Sequence, residues 1–357
     1  MRRRTALTVI TLVALLWSCD KGETIVLPNP YDPVASTAPL VTVIYDPDAL
    51  GDRSYNDLIY QGVEEAAQRY GLRTLQLSPQ TAAEGEAYIE TLLAQLAAAT
   101  DTVRRLTIVA GSSYDGLLRR INSLLERNSR ADLLYLETDT PLEGKGSTLY
   151  LPYYGAMYEA GALTPALTSN TLVIGANPED QTVGDAIAGF CDGYASNRFE
   201  AGDAGLGHGL TVTYLGEHAG QGYNVADSVV MRIVCNVESR PVVLVPICGG
   251  SSMTFRRMAD IMGGGYLYMG IDRATPSLLC YYSVVKHIDR AVSLCIGQWL
   301  SSEGMPKHQR LGLASGYTEM VTHPTEGFVS TYLNGILTDQ VRAELHEEAI
   351  RCEASKN

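Results

Sequence analysis

The segment Leu-Val-Thr-Val-Ile-Tyr-Asp at residues 40–46 is a short apolar run that ends in a carboxylate. A segment of helical periodicity follows it at residues 55–70. The same alternation continues along the chain, and it is typical of parallel sheets that are covered by helices. We predict strands at residues 40–46, 73–77, 106–110, 132–137, 148–153, 172–176, 210–215, 241–247 and 266–271. The clearest helices are predicted at residues 55–70, 82–98, 114–127, 156–168, 183–195, 251–262 and 278–301.

The number of predicted strands indicates two sheets. A single doubly wound sheet holds about five or six strands, and the roughly 315 residues after position 39 are too many for one hydrophobic core. We therefore predict an α/β fold of two doubly wound, Rossmann-like lobes that are joined by a hinge. Lobe 1 is predicted to comprise residues 40–150 and about 272–357, and lobe 2 residues 151–271. The glycine-rich stretch 202–209 is predicted to be a surface loop of lobe 2.

The first 39 residues do not follow this pattern. Three arginines, an uncharged run over residues 5–17 and then Ser18 and Cys19 have the three-part layout of a secretory signal. The apolar run is shorter than a membrane-spanning helix requires, and Leu-Trp-Ser-Cys at residues 16–19 resembles the bacterial lipoprotein box. We predict a signal peptide over residues 1–18, lipidation at Cys19 and a proline-rich tether over residues 19–39, which would anchor the chain in the bacterial cell envelope, periplasmic or surface-exposed. The alternative is an ordinary signal peptide with an incidental cysteine.

The composition excludes several classes of function. Aspartate and glutamate number 40 against 27 lysine and arginine, and removal of three signal arginines takes the formal net charge from −13 to −16, so a nucleic-acid groove is not expected. The six cysteines after Cys19 are far apart and form no CxxC pair, so we predict that most of them are buried small hydrophobic residues and that they form no metal site. A disulfide that involves Cys280 or Cys295 is left open. No cofactor is predicted.

Candidate ligand contacts follow the predicted strands, because ligands of open α/β sheets lie beyond the carboxyl ends of the strands. Asp46 ends the first strand, while Tyr55 and Asn56 open the helix after it. An aromatic face stacks on a planar base, and a carboxamide both donates to it and accepts from it. Asp52 or Ser54 is predicted to cap the same helix.

Four further candidates come later in the chain. Tyr114 follows the third strand within a Ser-Ser-Tyr-Asp stretch that turn or cap duties explain equally well. Gly249 belongs to a Gly-Gly-Ser-Ser loop that would expose backbone N–H groups at a helix start. By spacing alone, Asp272 is predicted to be a hinge-stabilising acceptor and Lys286 a solvated helix lysine that pairs with Asp289.

A family resemblance reverses that reading of Asp272 and Lys286. Gly-Asp-Arg-Ser-Tyr-Asn-Asp at residues 51–57, followed by Tyr-Gln-Gly, resembles the first signature of the basic membrane protein family of substrate-binding lipoproteins, which includes purine nucleoside receptors. Gly-Ile-Asp at 270–272 and Ser-Val-Val-Lys-His-Ile-Asp-Arg-Ala-Val at 283–292 resemble its two closing motifs. The matches extend from about residue 40 to about residue 313. Phenylalanine is usual in the family where this chain has Tyr55.

The resemblance implies a periplasmic-binding-protein type I fold that serves an ABC importer, with nucleosides as the best-known ligand class. It also implies that Asp272 accepts both hydroxyls of a ribose and that Lys286 donates to the same sugar. Tyr55, Asn56, Asp272 and Lys286, which are remote in the chain, are then expected to face one crevice between the lobes.

We therefore predict a monomeric, lipid-anchored substrate-binding protein that captures a small polar ligand, with a purine nucleoside preferred, and delivers it to an ABC importer permease. The alternatives are a receptor for a sugar, an amino acid or a modified base, a sensory or scaffolding lipoprotein that has lost its ligand, and a nucleoside-processing hydrolase. An enzyme is not expected, because Gly-x-Ser-x-Gly, Walker and His-Glu-x-x-His motifs are missing and the six histidines are scattered.

Overall fold

The computed structural model describes residues 37–126, 132–168, 170–196, 198–199, 209–237, 240–323, 333 and 335–356. The predicted signal peptide, Cys19, the tether up to residue 36 and residues 202–208 of the predicted glycine-rich loop lie outside the described residues. In chain order, the strands and α-helices are β1 (Leu40–Tyr45), α1 (Tyr55–Tyr70), β2 (Arg73–Leu77), α2 (Ala82–Ala98), β3 (Arg105–Ala110), α3 (Leu118–Glu126), β4 (Asp132–Leu136), β5 (Gly146–Tyr150), α4 (Tyr154–Leu163), β6 (Asn170–Gly175), α5 (Gln181–Ala195), β7 (Gly209–Tyr214), α6 (Asp227–Cys235), β8 (Val242–Ile247), α7 (Gly250–Met262), β9 (Tyr266–Tyr268), β10 (Gly270–Asp272), β11 (Tyr282–Lys286), α8 (Ile288–Leu300), β12 (His308–Arg310), β13 (Thr318–Thr322) and α9 (Asp339–Ala354).

The first sheet has six parallel strands in the order β12-β5-β4-β3-β1-β2. Inner strands such as β1 and β4 are largely apolar because helices cover both faces, whereas the edge strands β2 and β12 are more polar. One face packs against α1 and α8 in a cluster that includes Val43 and Val292. The other face packs against α2 and α3, with Ile44 and Ile121 in the shared core. The sheet is therefore doubly wound, as predicted.

The second sheet has four parallel strands in the order β7-β6-β8-β9. A third, smaller sheet in the order β10-β11-β13 combines a parallel pair with an antiparallel pair. The largest hydrophobic cluster joins residues of α4, α5, β6, β8 and β11. Leu345 and Ala349 of α9 belong to this cluster, although the predicted lobe boundaries assign them to lobe 1.

The chain passes between the two large sheets more than once. It leaves the first sheet after β5 and reaches the second at β6, by way of α4. It returns through β10 and β11 to α8, which packs on α1, and to β12, which pairs with β5. It then runs back through β13 to α9, which packs on α4. The small third sheet therefore lies at the connections between the large sheets, which is where a hinge is expected.

The prediction of one helix over residues 278–301 is wrong. Residues Tyr282–Lys286 form β11, which pairs with β10 on one side and β13 on the other, and only Ile288–Leu300 is helical. The predicted strand at 266–271 divides into β9 and β10, and the helix predicted from residue 114 begins as a 3₁₀-helix at Ser112–Leu117. The strand predicted to end at residue 153 ends at Tyr150.

The cysteines of the described residues are all free thiols. Cys248, Cys280 and Cys295 are buried, as expected of small hydrophobic residues, whereas Cys191 and Cys352 are half-buried and Cys235 is exposed. The disulfide that the sequence left open for Cys280 or Cys295 is not formed among the described residues.

Candidate functional site

A cavity of about 470 Å³ lies between the carboxyl ends of the strands of the two large sheets. Its lining from the first sheet follows β1, β3 and β4, and that from the second follows β6, β7 and β8. The last residues of β10 and β11 complete it. This is the position at which doubly wound folds bind ligands.

The cavity brings together six of the seven ligand contacts predicted from the sequence. These residues are Asp46, Tyr55, Asn56, Gly249, Asp272 and Lys286. Gly249, with φ of 52°, precedes α7 in the left-handed conformation that glycine adopts readily, and Tyr223 packs against it.

Tyr114 does not line the cavity. Its side chain is fully buried in the core between the first sheet and α2, where Gly85 leaves room for the ring. Its hydroxyl donates a hydrogen bond of 2.6 Å to the carbonyl oxygen of Tyr45. The prediction of a ligand contact does not hold for this residue, because Tyr114 points from the 3₁₀-helix into the core and not toward the cleft.

Asp272 is the centre of a buried polar group that joins distant parts of the chain. The Ser54 hydroxyl donates to Oδ2 of Asp272, and the Tyr153 hydroxyl donates to Oδ1. Burial, followed by the charge of Asp272 and the hydrogen bond to it, raises the pKa of Tyr153. Tyr153 is therefore a fixed hydrogen-bond donor beside the cavity at neutral pH.

Lys286 forms a buried ion pair with Glu137. Lys286 Nζ lies 3.0 Å from Glu137 Oε2, and the two side chains are 1% and 6% exposed. The same ammonium lies 3.8 Å from the ring centroid of Tyr153 and 5.6 Å from that of Tyr55. Burial raises the pKa of Glu137, and the charge of Lys286 opposes that rise. The spacing-based interpretation of Lys286 as a solvated lysine paired with Asp289 is therefore wrong.

Asp46 lies beneath the loop that follows β3. Its Oδ1 accepts a hydrogen bond of 3.2 Å from the Ser113 backbone N–H. Gly111 makes the approach possible, since a Cβ at that position would stand 1.9 Å from Asp46 Oδ2. Burial raises the pKa of Asp46 to about 7, with smaller contributions from the charges of Asp180 and Asp115.

Asp52 organises the start of α1. Its carboxylate accepts hydrogen bonds from the backbone N–H groups of Ser54, Asn56 and Asp57, so it performs the capping that was predicted for Asp52 or Ser54. It also accepts a 3.0 Å bond from Nδ2 of Asn56. The carboxamide of Asn56 is thereby oriented, with its oxygen left for another donor.

Asp180 connects the two halves of the cavity. Its Oδ1 caps α5 by accepting the N–H groups of Thr182 and Val183. Its Oδ2 accepts a 2.6 Å bond from the Tyr223 hydroxyl and another from Ser112, which follows β3 of the first sheet. Asn224 and Asp48 form a second link across the cleft, in which Asn224 Nδ2 donates to the Asp48 carbonyl oxygen at 3.2 Å.

Three buried polar atoms that belong to lining residues have no hydrogen-bond partner among the described residues. They are the Tyr55 hydroxyl, Asn56 Oδ1 and Glu137 Oε1. Burial and then the charges of Glu137, Asp46 and Asp272 raise the pKa of Tyr55, so its hydroxyl remains protonated. A buried polar group without a partner destabilises the protein, so these atoms are suited to meeting a polar ligand.

The backbone is unusual at two of the buried carboxylates of the cavity. Glu137 and Asp272 have φ angles of 60° and 63°, in the left-handed region that residues with a Cβ rarely adopt. Such conformations cost about 1–3 kcal/mol and are concentrated at functional sites. The conformation turns each carboxylate at the end of its strand, β4 or β10, into the cavity.

The lining has a strong excess of negative charge. Six described lining residues have carboxyl groups, namely Asp46, Asp48, Asp52, Glu137, Asp180 and Asp272, and Lys286 is the one lysine or arginine among them. The Lys286 charge is already compensated by Glu137. The cavity is therefore suited to ligands rich in hydrogen-bond donors and poorly suited to anions.

Several cavity residues were missed by the sequence analysis. Glu137 ends a predicted strand, as Asp46 does, so the rule that selected Asp46 would also have found it. Tyr153 was hidden because the preceding strand was predicted to include it. Asp180 and Tyr223 were also missed. Ser112 belongs to the Ser-Ser-Tyr-Asp stretch considered after the third strand, but its contact with Asp180 arises only because the two sheets face each other, and no local pattern in the sequence indicates it.

The described residues contain neither a cluster suited to a metal ion nor a helix suited to a membrane. No group of three or more histidine, cysteine, aspartate or glutamate side chains in the described part of the chain is arranged to hold a metal ion. Within the same residues, every helix is too short or too polar to cross a membrane.

Comparison with known proteins gives matches at the level of structure. No family model matches the chain, and no curated protein matches it by sequence. A solute-binding protein of an ABC transporter system from Aeropyrum pernix K1 aligns with a TM-score of 0.67 and 14% identity, over 89% of this chain and 92% of that one. A sugar transporter from Clostridium phytofermentans aligns with a TM-score of 0.56 and 16% identity, over 80% of this chain and 99% of that one.

The same architecture also occurs outside transport. A transcriptional activator of the comK gene from Bacillus halodurans aligns with a TM-score of 0.59 and 14% identity, over 87% of this chain and 96% of that one. At such identities the likeness concerns the fold alone. The two doubly wound lobes predicted from the sequence are confirmed, and the chain has the periplasmic-binding-protein type I fold found in solute-binding proteins.

Proposed function

We propose that this chain is the lipid-anchored solute-binding protein of an ABC-type importer and that it captures a neutral, hydroxyl-rich ligand, a purine nucleoside, between its lobes. The observation that carries the proposal is the buried polar group around Asp272, Glu137 and Lys286, placed at the cleft between the two sheets. The proposal extends to Cys19 as the lipidation site and to a permease as the partner.

The chemistry of the lining supports a neutral ligand. Carboxylates accept hydrogen bonds from hydroxyl groups through both oxygens, and they repel phosphates or free carboxylates. The ring of Tyr55 lines the cavity and supplies a flat surface for a base. Asn56 Oδ1 and Glu137 Oε1 are free to accept bonds from amino or hydroxyl groups of such a ligand.

Lobe closure supplies the mechanism of capture. Ligand contacts would come from Tyr55 and Asn56 on one side and from residues such as Tyr223 and Gly249 on the other. A ligand that touches both sides stabilises the closed arrangement relative to the open one by its differential affinity. The hydrogen bonds Ser112–Asp180 and Asn224–Asp48 add direct contacts between the same two sides.

A sugar is the second candidate ligand. Several neighbours of the same fold are described as sugar-binding or sugar-transport proteins. The carboxylates of the cavity would serve the hydroxyls of a free sugar as well as those of a ribose. Tyr55 distinguishes the two candidates, because only a nucleoside has a planar base that can stack on its ring.

Thermal-shift measurements with purine nucleosides, nucleotides, hexoses and amino acids test the proposal, since a ligand that binds only the folded state raises Tm. We expect a shift with nucleosides and none with the corresponding nucleotides. A shift with hexoses alone would replace the nucleoside by a sugar, and a shift with none of the four classes would refute capture of this ligand class. Free base released during incubation would instead indicate a hydrolase.

Asp272→Asn is the matched test of the site. In the amide only one of the two terminal atoms accepts hydrogen bonds, whereas both oxygens of the carboxylate do. The variant therefore cannot accept bonds from Ser54, from Tyr153 and from a ligand hydroxyl as Asp272 does, and we expect the ligand-induced rise in Tm to be largely lost. Asp260→Asn, on the exposed side of α7, is the control and should leave the shift unchanged. An undiminished shift in Asp272→Asn would remove that residue from the site.

A further inference from the structure

The first turn of α4 is held by carboxylates from two other helices. The N-cap residue Tyr153 supplies no side-chain cap. Instead, Oδ2 of Asp185 on α5 accepts the backbone N–H groups of Tyr153 and Tyr154 at 3.1 and 3.2 Å. Oε2 of Glu353 on α9 accepts the next N–H, that of Gly155, at 2.8 Å. The first N–H groups of a helix lack intrahelical acceptors, and negative charge is favourable beside them.

Glu353 is enclosed where it makes this contact. It is 7% exposed, and its second oxygen, Oε1, accepts the N–H of Leu313 at 3.1 Å. Two glycines make room for the carboxylate. A Cβ at Gly155 would stand 2.8 Å from Oε2, and one at Gly312 would stand 2.2 Å from Oε1. Both oxygens are therefore committed to backbone N–H groups of other segments.

The residue held by Asp185 is also the one that enters the cavity. The Tyr153 hydroxyl donates to Asp272, and its ring lies 3.8 Å from Lys286 Nζ. A shift of the first turn of α4 would move this ring, because Tyr153 has only two side-chain torsions with which to compensate. The position of the hydroxyl thus depends on the contacts that fix this turn of the backbone.

We propose that Asp185 and Glu353 are positioning residues for the cavity: by fixing the first turn of α4, they set the place of Tyr153 and, through it, of Asp272 and Lys286. This inference rests on the proposed function, because its first test measures the binding of a ligand. It makes the C-terminal helix α9 part of the ligand site, although none of the cavity-lining residues belongs to α9.

Glu348 provides a matched control on the same helix. It also bonds α4, since its Oε1 accepts the Tyr158 hydroxyl at 2.6 Å, but it does so one helical turn beyond the first turn of α4. Loss of Glu348 weakens the docking of α9 without freeing the N–H of Gly155. A purely structural role of Glu353 would make the two glutamates equivalent.

The first measurement is ligand affinity by calorimetry, with a nucleoside that stabilises the wild-type protein. We expect about tenfold weaker binding in Glu353→Gln and in Asp185→Ala, on the order of one hydrogen bond, and unchanged binding in Glu348→Gln. In a Tyr153→Phe background, Glu353→Gln should weaken binding no further, while its effect on unfolding by urea persists. Fully additive losses of affinity would show that Glu353 does not act through Tyr153 and would overturn the proposal.

A second measurement requires no ligand. With 3-fluorotyrosine incorporated at position 153, the ¹⁹F resonance should move in Glu353→Gln and in Asp185→Ala but not in Glu348→Gln. An unmoved resonance in the first two variants overturns the positioning role, whatever the affinities. If the resonance moves and no nucleoside or sugar binds the wild-type protein, the positioning role stands and the proposed function fails.

Discussion

Individual residues of the cavity have properties that only burial can give them. Lys286 and Glu137 are removed from water together, and the desolvation of each ion is offset by the other. Such a pair contributes little net stability compared with an apolar pair, but loss of one partner leaves an uncompensated buried charge. The stability of the protein should therefore be sensitive to substitution of either partner alone.

Lys286→Met should destabilise the protein by about 3–5 kcal/mol at pH 7, because Glu137 would be left charged and buried. Unfolding by urea, followed by circular dichroism, gives the free energy of unfolding. Lys356→Met is the control, since Lys356 is 45% exposed and its pair with Asp192 should be worth about 1 kcal/mol or less. The loss in Lys286→Met should shrink toward acid pH, where Glu137, with its raised pKa, becomes neutral. An equal loss at every pH would contradict this account.

Asp46 should make stability depend on pH. Its pKa in the folded state, about 7, lies above the ordinary value of 3.8, so the folded state binds the proton more tightly than the unfolded state does. This contribution to stability is fully present below about pH 3.8 and is lost as the pH rises toward 7. Asp46→Asn removes the titration, so its stability relative to wild type should increase between these two values. A constant difference between the two proteins across this range would show that Asp46 does not titrate there.

The residue scale also shows what a sequence can reveal of a site. Asp46 and Glu137 follow apolar strands, and the position of a residue after a strand is visible in the sequence. The contacts of Asp180 with Ser112 and Tyr223 are not visible, because they arise from the approach of two sheets. Tyr114 follows β3, as other candidate residues follow their strands, but its side chain points toward α2. The packing of the core determines the direction of that side chain.

At the scale of elements, α4 and α5 pack closely against each other. Each residue of α4 is buried. Glycines let the helices approach, since a Cβ at Gly161 would stand 2.1 Å from the carbonyl oxygen of Phe190, and one at Gly193 would stand 2.0 Å from that of Tyr158. Neither oxygen belongs to a flexible side chain, so the backbones themselves would have to separate.

Gly193→Ala should therefore destabilise the fold by at least about 1–3 kcal/mol, the usual effect of overpacking. Gly184→Ala is the control on the same helix, because a Cβ there meets nothing within 4 Å. That substitution should stabilise α5 by about 0.5–1 kcal/mol, since alanine loses less backbone entropy than glycine. Thermal unfolding of both variants measures the contrast, and equal effects of the two changes would disprove the close approach.

The region 278–301 shows why some elements escaped the sequence. Val284, Val285, Ile288, Ala291 and Val292 are spaced as in one amphipathic helix. The first two nevertheless lie in β11, where β-branched side chains are favourable and where β10 and β13 supply partners on both sides. Those partners are remote in sequence, so tertiary pairing overrides the local pattern here. Strands such as β1, whose apolar run is short and isolated, present no such ambiguity.

For the molecule as a whole, hydrogen bonds such as Ser112–Asp180 and Asn224–Asp48 join the two sides of the cleft, and each should influence the opening of the lobes. Asn224→Asp replaces a donor by a carboxylate that faces the Asp48 carbonyl oxygen. We expect the open form to gain population, which small-angle X-ray scattering would detect as a larger radius of gyration without ligand. Asn122→Asp is the control, because the side-chain oxygen that accepts the Glu143 N–H remains. An unchanged radius in Asn224→Asp would show that this bond does not hold the lobes.

The architecture as a whole was accessible from the sequence, because alternation of apolar runs with helical segments needs no knowledge of distant contacts. The predicted boundaries include a return to lobe 1 near residue 272, but the later passage through β13 to α9 and the pairings of the last strands were not accessible. β12 consists of three residues, His308–Arg310, and its pairing with β5 cannot be inferred from so short a segment.

The chain passes repeatedly between the two large sheets, and this limits the positions at which the gene could be cut into fragments that encode separate folding units. A fragment that stops after β9 would lack α8 and β12, which cover and extend the first sheet, and α9, which covers α4. The remaining piece would contain the small β10-β11-β13 sheet but neither of the two large sheets. Neither lobe is thus an autonomous module that could be shuffled by a single recombination event, and two-fragment reassembly would have to restore both halves at once.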